Sequence, residues 1–175
     1  VDVHRGLLVN ASIGIETKGS GSSRADVTID RTTIANVDHG IRAFDKGSPD
    51  PNVKIQYDIT NTIVHVRPGG DPLYTDYDPD DLRVNYSWVD EPWATAGSGE
   101  GLTNGTPLFL DVTANDYRLA PGSPAIDAGV PDQGPDPDGT RVDLGYFHFD
   151  QTPAPDGDLD QDGIVSAADI DLLCA

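Results

Sequence analysis

The chain has 175 residues, which is enough for one sizeable hydrophobic core with at most a small appendage. Thirty acidic residues against eleven basic ones give a formal net charge of −19, which repels nucleic acid and anionic lipid and favours bound cations, above all calcium. No apolar run approaches the roughly 18 residues of a membrane span, and the single cysteine, Cys174, excludes an internal disulfide.

Residues 1–106 carry a weak internal repeat. Helical periodicity is scarce there, whereas Gly, Pro, Asp, Thr, Val and Ile abound, as in short strands joined by tight turns. VHRGLLVNASIGIETKGS (3–20) aligns with IDRTTIANVDHGIRAFDKGS (29–48) at an offset of 26 residues. Fainter copies place Ile63 and then Trp88 where Ile34 stands, at further spacings of 29 and 25 residues. Such units cannot form a core alone, so we predict stacked coils of a parallel β-helix, a solenoid with three short strands per coil.

Alternation of apolar and polar residues indicates which side chains enter the coils. The residues predicted to point inward are Ile13, Ile15, Val27, Ile29, Ile34, Ile41, Val53, Ile55, Ile63 and Val84. Strand spacing alone leaves an antiparallel β-sandwich open as the alternative.

Residues 107–150 do not continue the repeat pattern and carry two distinctive motifs, DYRLAPGSPAIDAG (116–129) and DPDGTRVDLGYF (136–147). The motifs resemble the C-terminal segment of the right-handed parallel β-helix proteins of bacterial surfaces, which often precedes a surface anchor or a dockerin. The resemblance implies an all-β, right-handed β-helix fold. Because its several prolines cannot donate ladder hydrogen bonds, we predict that this segment is an irregular cap over the open end of the coils.

Residues 151–156 are predicted to form a short extended linker containing Pro153 and Pro155. Residues 157–175 then follow the pattern of a calcium-binding loop that opens a helix. Oxygen donors fall at positions one, three, five, seven, nine and twelve of the loop, with Gly163 at position six. The predicted calcium ligands are Asp158, Asp160, Asp162, Ile164, Ser166 and Asp169.

Two features separate this loop from an ordinary EF-hand. Prolines replace an entering helix, and Asp169 stands at position twelve in place of Glu. Both features resemble the type I dockerin repeat, which implies Ca2+ as the cofactor, Ile164 binding through its carbonyl and Ser166 through water. A dockerin needs two such repeats and this chain supplies one, so a second calcium repeat or a cohesin is a candidate partner.

Two further acidic stretches are candidates for cation binding. Asp136, Asp138 and Asp143 surround a glycine, but their spacing departs from the loop pattern, so a plain turn is favoured over a second calcium site. Residues 71–81 carry five aspartates and two tyrosines, which suit either a sugar or cation site or, as we favour, a solvated loop between coils.

Catalytic residues are harder to place. Comparison with pectate lyases directs attention to Arg5, Arg31 and Arg42, with Asp38 and His39 in the same repeat as Arg31, although stacked matching residues are what any repeat produces. The histidines His4, His39, His65 and His148 stand apart from one another without metal-ligand spacing. The sequons at Asn10, Asn85 and Asn104 leave glycosylation undecided.

The absence of Met and an opening without a signal sequence suggest a mature or trimmed piece of a longer exported bacterial protein. We expect a non-catalytic, secreted or cell-surface module for adhesion, scaffolding or assembly. An uncovered first coil would permit head-to-tail stacking into a filament. The alternatives are a carbohydrate-active enzyme, either a polysaccharide lyase or a glycoside hydrolase, and dockerin-mediated recruitment to a cohesin.

Overall fold

The computed structural model describes residues 1–19, 24–45, 54–76, 82–91, 93 and 99–152 and shows an all-β protein. One parallel sheet has the order β1 (Asp2–His4), β4 (Arg24–Asp30), β6 (Lys54–Thr60) and β8 (Leu82–Asn85). The second has the order β2 (Leu7–Val9), β5 (Thr33–Asp45), β7 (Ile63–Thr75) and β9 (Trp88–Val89), with β3 (Ile13–Gly19) pairing along the later part of β5.

Successive repeats therefore add one strand to each parallel sheet in turn. This arrangement is compatible with a β-solenoid and not with an antiparallel sandwich, because every strand pair among the described residues up to 91 is parallel. After the stack, β10 (Phe109–Asp111), a 3-10 turn (Val112–Ala114) and β11 (Asp116–Leu119) form a small antiparallel hairpin. No helix within the described ranges is long and apolar enough to cross a membrane.

A left-handed residue marks the turn between the two sheets in each repeat. The four equivalent positions have φ between 43° and 54° and are Arg5, Arg31, Asn61 and Tyr86. Their backbone N–H groups donate in sequence to the repeat that follows, ending with Tyr86 N donating to Glu100 O at 2.7 Å. Thr103 bonds in the opposite direction, with its N–H donating back to Ser87 O of the preceding repeat, so residues 99–103 cover the edge of β9.

The left-handed turn sets the register of the strands. Leu8 pairs with Ile34, as the 26-residue offset predicts, but Ile34 pairs with Val64 and Thr33 pairs with Ile63. The predicted equivalence of Ile34 and Ile63 is therefore wrong by one residue. Because side chains alternate across a strand, this slip moves Ile63 from the inner face to the outer face.

The inner core lies between the two sheets. Of the ten residues predicted to point inward, the ones that lie buried in this core are Val27, Ile29, Ile34, Ile41, Ile55 and Val84. Ile15 packs partly buried against them, Ile13 is half-buried, and Val53 lies outside the described residues. Ile63 belongs instead to a second cluster, with Trp88, Leu119 and Leu144.

The second cluster joins the stack to residues 107–152, which we call the flanking segment. Gly145 N donates to Asn61 O at 2.7 Å, Tyr146 N donates to Thr33 Oγ1 at 2.9 Å, and Tyr117 Oη donates to Asn10 Oδ1 at 2.9 Å. With Trp88 in the shared cluster, these contacts reach all four repeats. A cap over one open end would contact the terminal repeat alone, so the described contacts place the segment along the side of the stack.

Candidate functional site

The predicted calcium ligands all lie outside the described residues, as does most of the predicted linker, and they stay a prediction. Across residues 1–152, as far as they are described, no group of three or more His, Cys, Asp or Glu side chains is arranged to hold a metal ion. Of the acidic run at 71–81, only residues 71–76 are described.

The acidic turn at residues 136–143 uses its carboxylates to accept main-chain hydrogen bonds. Asp136 accepts from Asp143 N at 2.7 Å, Asp138 accepts from Thr140 N at 3.0 Å, and Asp143 accepts from Asp127 N at 2.7 Å. These bonds support the turn that the sequence favoured over a second calcium site. Burial raises the pKa of Asp143, whereas the N–H groups of Thr140 and Gln151 lower the pKa of Asp138.

These opposite shifts give a prediction for two matched variants. Deprotonation of Asp143 destabilises the fold, because between its ordinary pKa and its raised pKa the folded state binds more protons than the unfolded state. We therefore expect the free energy of unfolding of Asp143→Asn, relative to the unsubstituted protein, to rise as the pH increases from about 3 to 7. Asp138→Asn should show the opposite slope, because ionised Asp138 contributes stability that is lost on acidification. Urea titrations across this pH range measure both slopes; equal slopes would contradict the assignment.

The three arginines considered for catalysis lie in different environments. Arg31 has a side chain only 18% exposed, and its guanidinium lies 3.9 Å from both Asp30 Oδ2 and Asp136 Oδ1. Arg5 lines a small pocket with Arg31, closed by the flanking segment. Arg42 instead lies on the outer face of β5. The flanking segment thus covers the turn at Arg31, whereas Arg5 at the equivalent position of the first repeat is exposed.

Three histidines that stand apart in the sequence have a carboxylate neighbour in the fold, and the first is His4, whose Nδ1 lies 3.7 Å from Asp30 Oδ2. His65 Nδ1 lies 3.0 Å from Asp90 Oδ2, and His39 Nδ1 lies 3.4 Å from Asp71 Oδ2, the latter without hydrogen-bond geometry. His65, Asp71 and Asp90 line one open cleft together with Arg67, whose Nη1 donates to Asp38 Oδ1 at 2.8 Å. Sequence spacing does not reveal these pairs because their members come from neighbouring repeats.

The outer face of β3, β5 and β7 carries the most varied set of side chains. Inward residues such as Ile15, Ile41 and Leu73 alternate with outward ones, so two rows of outward side chains run across the three strands. We call this set the outer grid. It comprises Glu16, Arg42 and Tyr74 in one row and Lys18, Phe44 and Asp76 in the other.

Contacts within the outer grid hold its side chains in place. Lys18 Nζ lies 2.8 Å from Glu16 Oε1, and Arg42 Nη1 lies 3.9 Å from Glu16 Oε2. The Arg42 guanidinium carbon lies 5.5 Å from the ring centroid of Phe44 and 5.6 Å from that of Tyr74, within cation–π range. Aromatic, cationic and anionic groups are therefore held together on one rigid sheet face.

Tyr74 is the most open aromatic residue of this face, with 41% of its surface exposed. Its hydroxyl donates to Asp76 Oδ1 at 2.5 Å, and this bond raises the pKa of Tyr74, so the hydroxyl stays protonated. No single motif in the sequence marks the grid as a site. The available signal was the 26-residue offset, which places Glu16 beside Arg42 and Lys18 beside Phe44.

The chain matches no protein-family model, no curated protein and no solved structure.

Proposed function

We propose that residues 1–106 form the coils of a right-handed parallel β-helix. The parallel pairing of every strand in the stack supports this fold. So does the recurrence of a left-handed turn once per repeat, because a regular turn is what keeps successive coils in register. Residues 107–150 are then a terminal segment that stabilises the coils by packing along their side.

The proposed function is non-catalytic: an extracellular or cell-surface module that binds polysaccharide in adhesion, scaffolding or assembly. The outer grid carries this proposal. A sheet face with one exposed aromatic ring, that of Tyr74, and fixed hydrogen-bonding groups suits an extended ligand better than a small enclosed substrate. Rigid strands position these groups before binding, which reduces the ordering cost.

Binding without cleavage is the experimental signature of this function. The protein is incubated with immobilised polysaccharides, bound protein is quantified, and the chain length of the polymer is followed by size-exclusion chromatography. Retention on at least one polymer of unchanged length is expected. Shortening of the polymer, or no retention on any of them, would contradict the proposal.

We propose Ca2+ binding by the dockerin-like tail as a separate element of this function, supported by the spacing of its six predicted ligands. Asp160→Ala is expected to abolish calcium binding in calorimetric titration of the full chain. Asp171→Ala, outside the ligand set, should leave the binding unchanged. Equal calcium binding by both variants would contradict the assigned loop, and calcium-dependent capture of a cohesin would establish recruitment as its role.

The exposed edge strands support self-association as a second mode of assembly. Among the described residues, β1, β2 and β3 pair on one side only, with β4 or β5. Unpaired parallel edges can accept strands from another copy, and a head-to-tail contact of this kind propagates into a filament. Electron microscopy that shows only monodisperse particles would contradict it.

A carbohydrate-active enzyme is the second candidate function, and the His65–Asp90 pair favours it. The Asp90 carboxylate lies within hydrogen-bonding distance of His65 Nδ1, the arrangement by which a carboxylate orients a histidine whose Nε2 acts as a general base. Arg67 lines the same cleft, where its guanidinium is paired with Asp38. Release of unsaturated uronate that is lost in His65→Ala would favour the enzyme over the binding module.

A further inference from the structure

The balance of charge within the outer grid restricts the class of ligand. Lys18 and Arg42 both have Glu16 as an ion-pair partner, and Asp76 is the second carboxylate of the set, so the two positive charges are matched by two negative ones. A site for an anion needs a positive charge that is not already compensated. The grid is therefore locally neutral, in a chain whose formal net charge is −19.

An anionic polymer meets further repulsion next to the grid. Asp71 is exposed on the same strand as Tyr74, and its side chain is 61% exposed beside His39. At physiological ionic strength, charges within about 8 Å of each other still interact through solvent. A polyanion that extends from the grid to Asp71 would therefore meet this additional carboxylate in a chain of net charge −19, whereas an uncharged polymer experiences no such repulsion.

The chemistry of the grid matches an uncharged sugar. The ring of Tyr74 offers an exposed apolar surface on which the C–H face of a pyranose packs, by the same burial that drives aromatic contacts elsewhere. The half-buried ring of Phe44 adds a smaller contact, since Lys18 Nζ also lies 5.1 Å from its centroid. The Asp76 and Glu16 carboxylates accept hydrogen bonds from sugar hydroxyls, and the free N–H groups of Arg42 donate to them. Sugar hydroxyls both donate and accept, so a mixed set of fixed donors and acceptors can satisfy them.

The arrangement of the rings gives the direction of the ligand. Strands β3, β5 and β7 lie about 4.8 Å apart, and each grid row crosses all three of them. The rings of Phe44 and Tyr74 stand on adjacent strands, and the Arg42 guanidinium contacts both of them. A polymer that contacts both rings must therefore cross from one repeat to the next.

We propose that the outer grid binds a neutral polysaccharide, with its chain crossing β5 and β7 and contacting Tyr74 and Phe44. This inference rests on the proposed function and narrows it to uncharged pyranose polymers. Tyr74 supplies the largest exposed contact area, and the Asp76 carboxylate holds its hydroxyl. Glu16 and Arg42 supply the fixed hydrogen-bonding groups.

Affinity electrophoresis with matched polymers tests the ligand class. Hydroxyethylcellulose and carboxymethylcellulose share one backbone and differ in charge; glucomannan, dextran and polygalacturonate extend the comparison. We expect at least one neutral polymer to retard the full chain, and carboxymethylcellulose and polygalacturonate to retard it less. Retardation by an acidic polymer alone would overturn the neutral class but leave the binding function intact, whereas no retardation by any polymer would overturn both.

Variants of Tyr74 locate the binding site. Tyr74→Ala is expected to weaken binding of the retarding polymer about tenfold, as the loss of one aromatic contact implies. Tyr74→Phe keeps the ring and should retain most of the affinity. Tyr146→Ala is the matched control, because Tyr146 is 39% exposed on the flanking segment and lies outside the grid. Thermal unfolding verifies that each variant is folded, and equal affinities of Tyr74→Ala and Tyr146→Ala would overturn the site.

Discussion

Replacement of Trp88 by Ala is expected to lower the free energy of unfolding by about 3–5 kcal/mol, the usual cost of removing a large buried aromatic side chain. Trp88 is fully buried and packs with Ile63, Leu119 and Leu144. Its indole N–H also donates to Asp90 Oδ1 at 3.3 Å. The side chain therefore joins the last repeat to the flanking segment, and its removal leaves a cavity between them.

Urea unfolding followed by circular dichroism measures this loss. Leu110→Ala is the control, because Leu110 lies in the flanking segment but is 47% exposed, and its replacement should change stability by less than about 0.5 kcal/mol. A loss below about 1 kcal/mol for Trp88→Ala would show that the flanking segment does not depend on this cluster. Since whole domains are stable by about 5–15 kcal/mol, the expected loss is a large fraction of the total.

The sequence predicts the stack itself well where two repeats agree in several residues at once. The 26-residue offset pairs Leu8 with Ile34 and Ile15 with Ile41, and both pairs occur. It also aligns Gly14 with Gly40, where a Cβ on Gly14 would lie 2.7 Å from Gly40 O. Close approach of the two backbones explains why glycine recurs at this position.

The predicted register of the third repeat is wrong because it matches one isoleucine to another and takes no account of the turn. Ile63 resembles Ile34, but the left-handed residue of the turn is Asn61, equivalent to Arg31. Arg, Asn and Tyr share no side-chain chemistry at this position; what they share is a positive φ, which a single sequence does not display for residues other than glycine. A turn position of this kind is visible only when several repeats are compared in three dimensions.

Contacts between distant segments cannot be predicted from the sequence for a different reason. Ile63 and Trp88 lie on the outer face of their strands, where alternation predicts polar residues. They are buried because Leu119 and Leu144 cover them, 25 or more residues further along the chain. The same limitation hides the outer grid, since its rows combine residues from β3, β5 and β7 whose neighbours depend on the correct register.

The turn residue Asn61 gives the second prediction of large effect. Asn61 is fully buried and has a φ of 48°. Its side-chain amide group donates to Asp30 Oδ1 at 2.7 Å and to Gln133 Oε1. Its Oδ1 accepts from Val130 N at 2.7 Å. Asn61→Ala removes these bonds and leaves the Val130 N–H without its hydrogen-bond acceptor. We expect a loss of about 2–4 kcal/mol, because each unsatisfied buried polar group costs about 1–3 kcal/mol.

Two further variants separate the causes of that loss. Asn61→Gly removes the same hydrogen bonds but tolerates a positive φ, so it should be more stable than Asn61→Ala by about 1 kcal/mol. Arg5→Ala removes an exposed side chain at the equivalent turn of the first repeat, where φ is 54°, and should change stability by less than about 0.5 kcal/mol. Urea unfolding of the three variants gives this order directly. Equal losses for Asn61→Ala and Arg5→Ala would mean that the turn conformation alone, and not the bonds of Asn61 to the flanking segment, determines stability at this position.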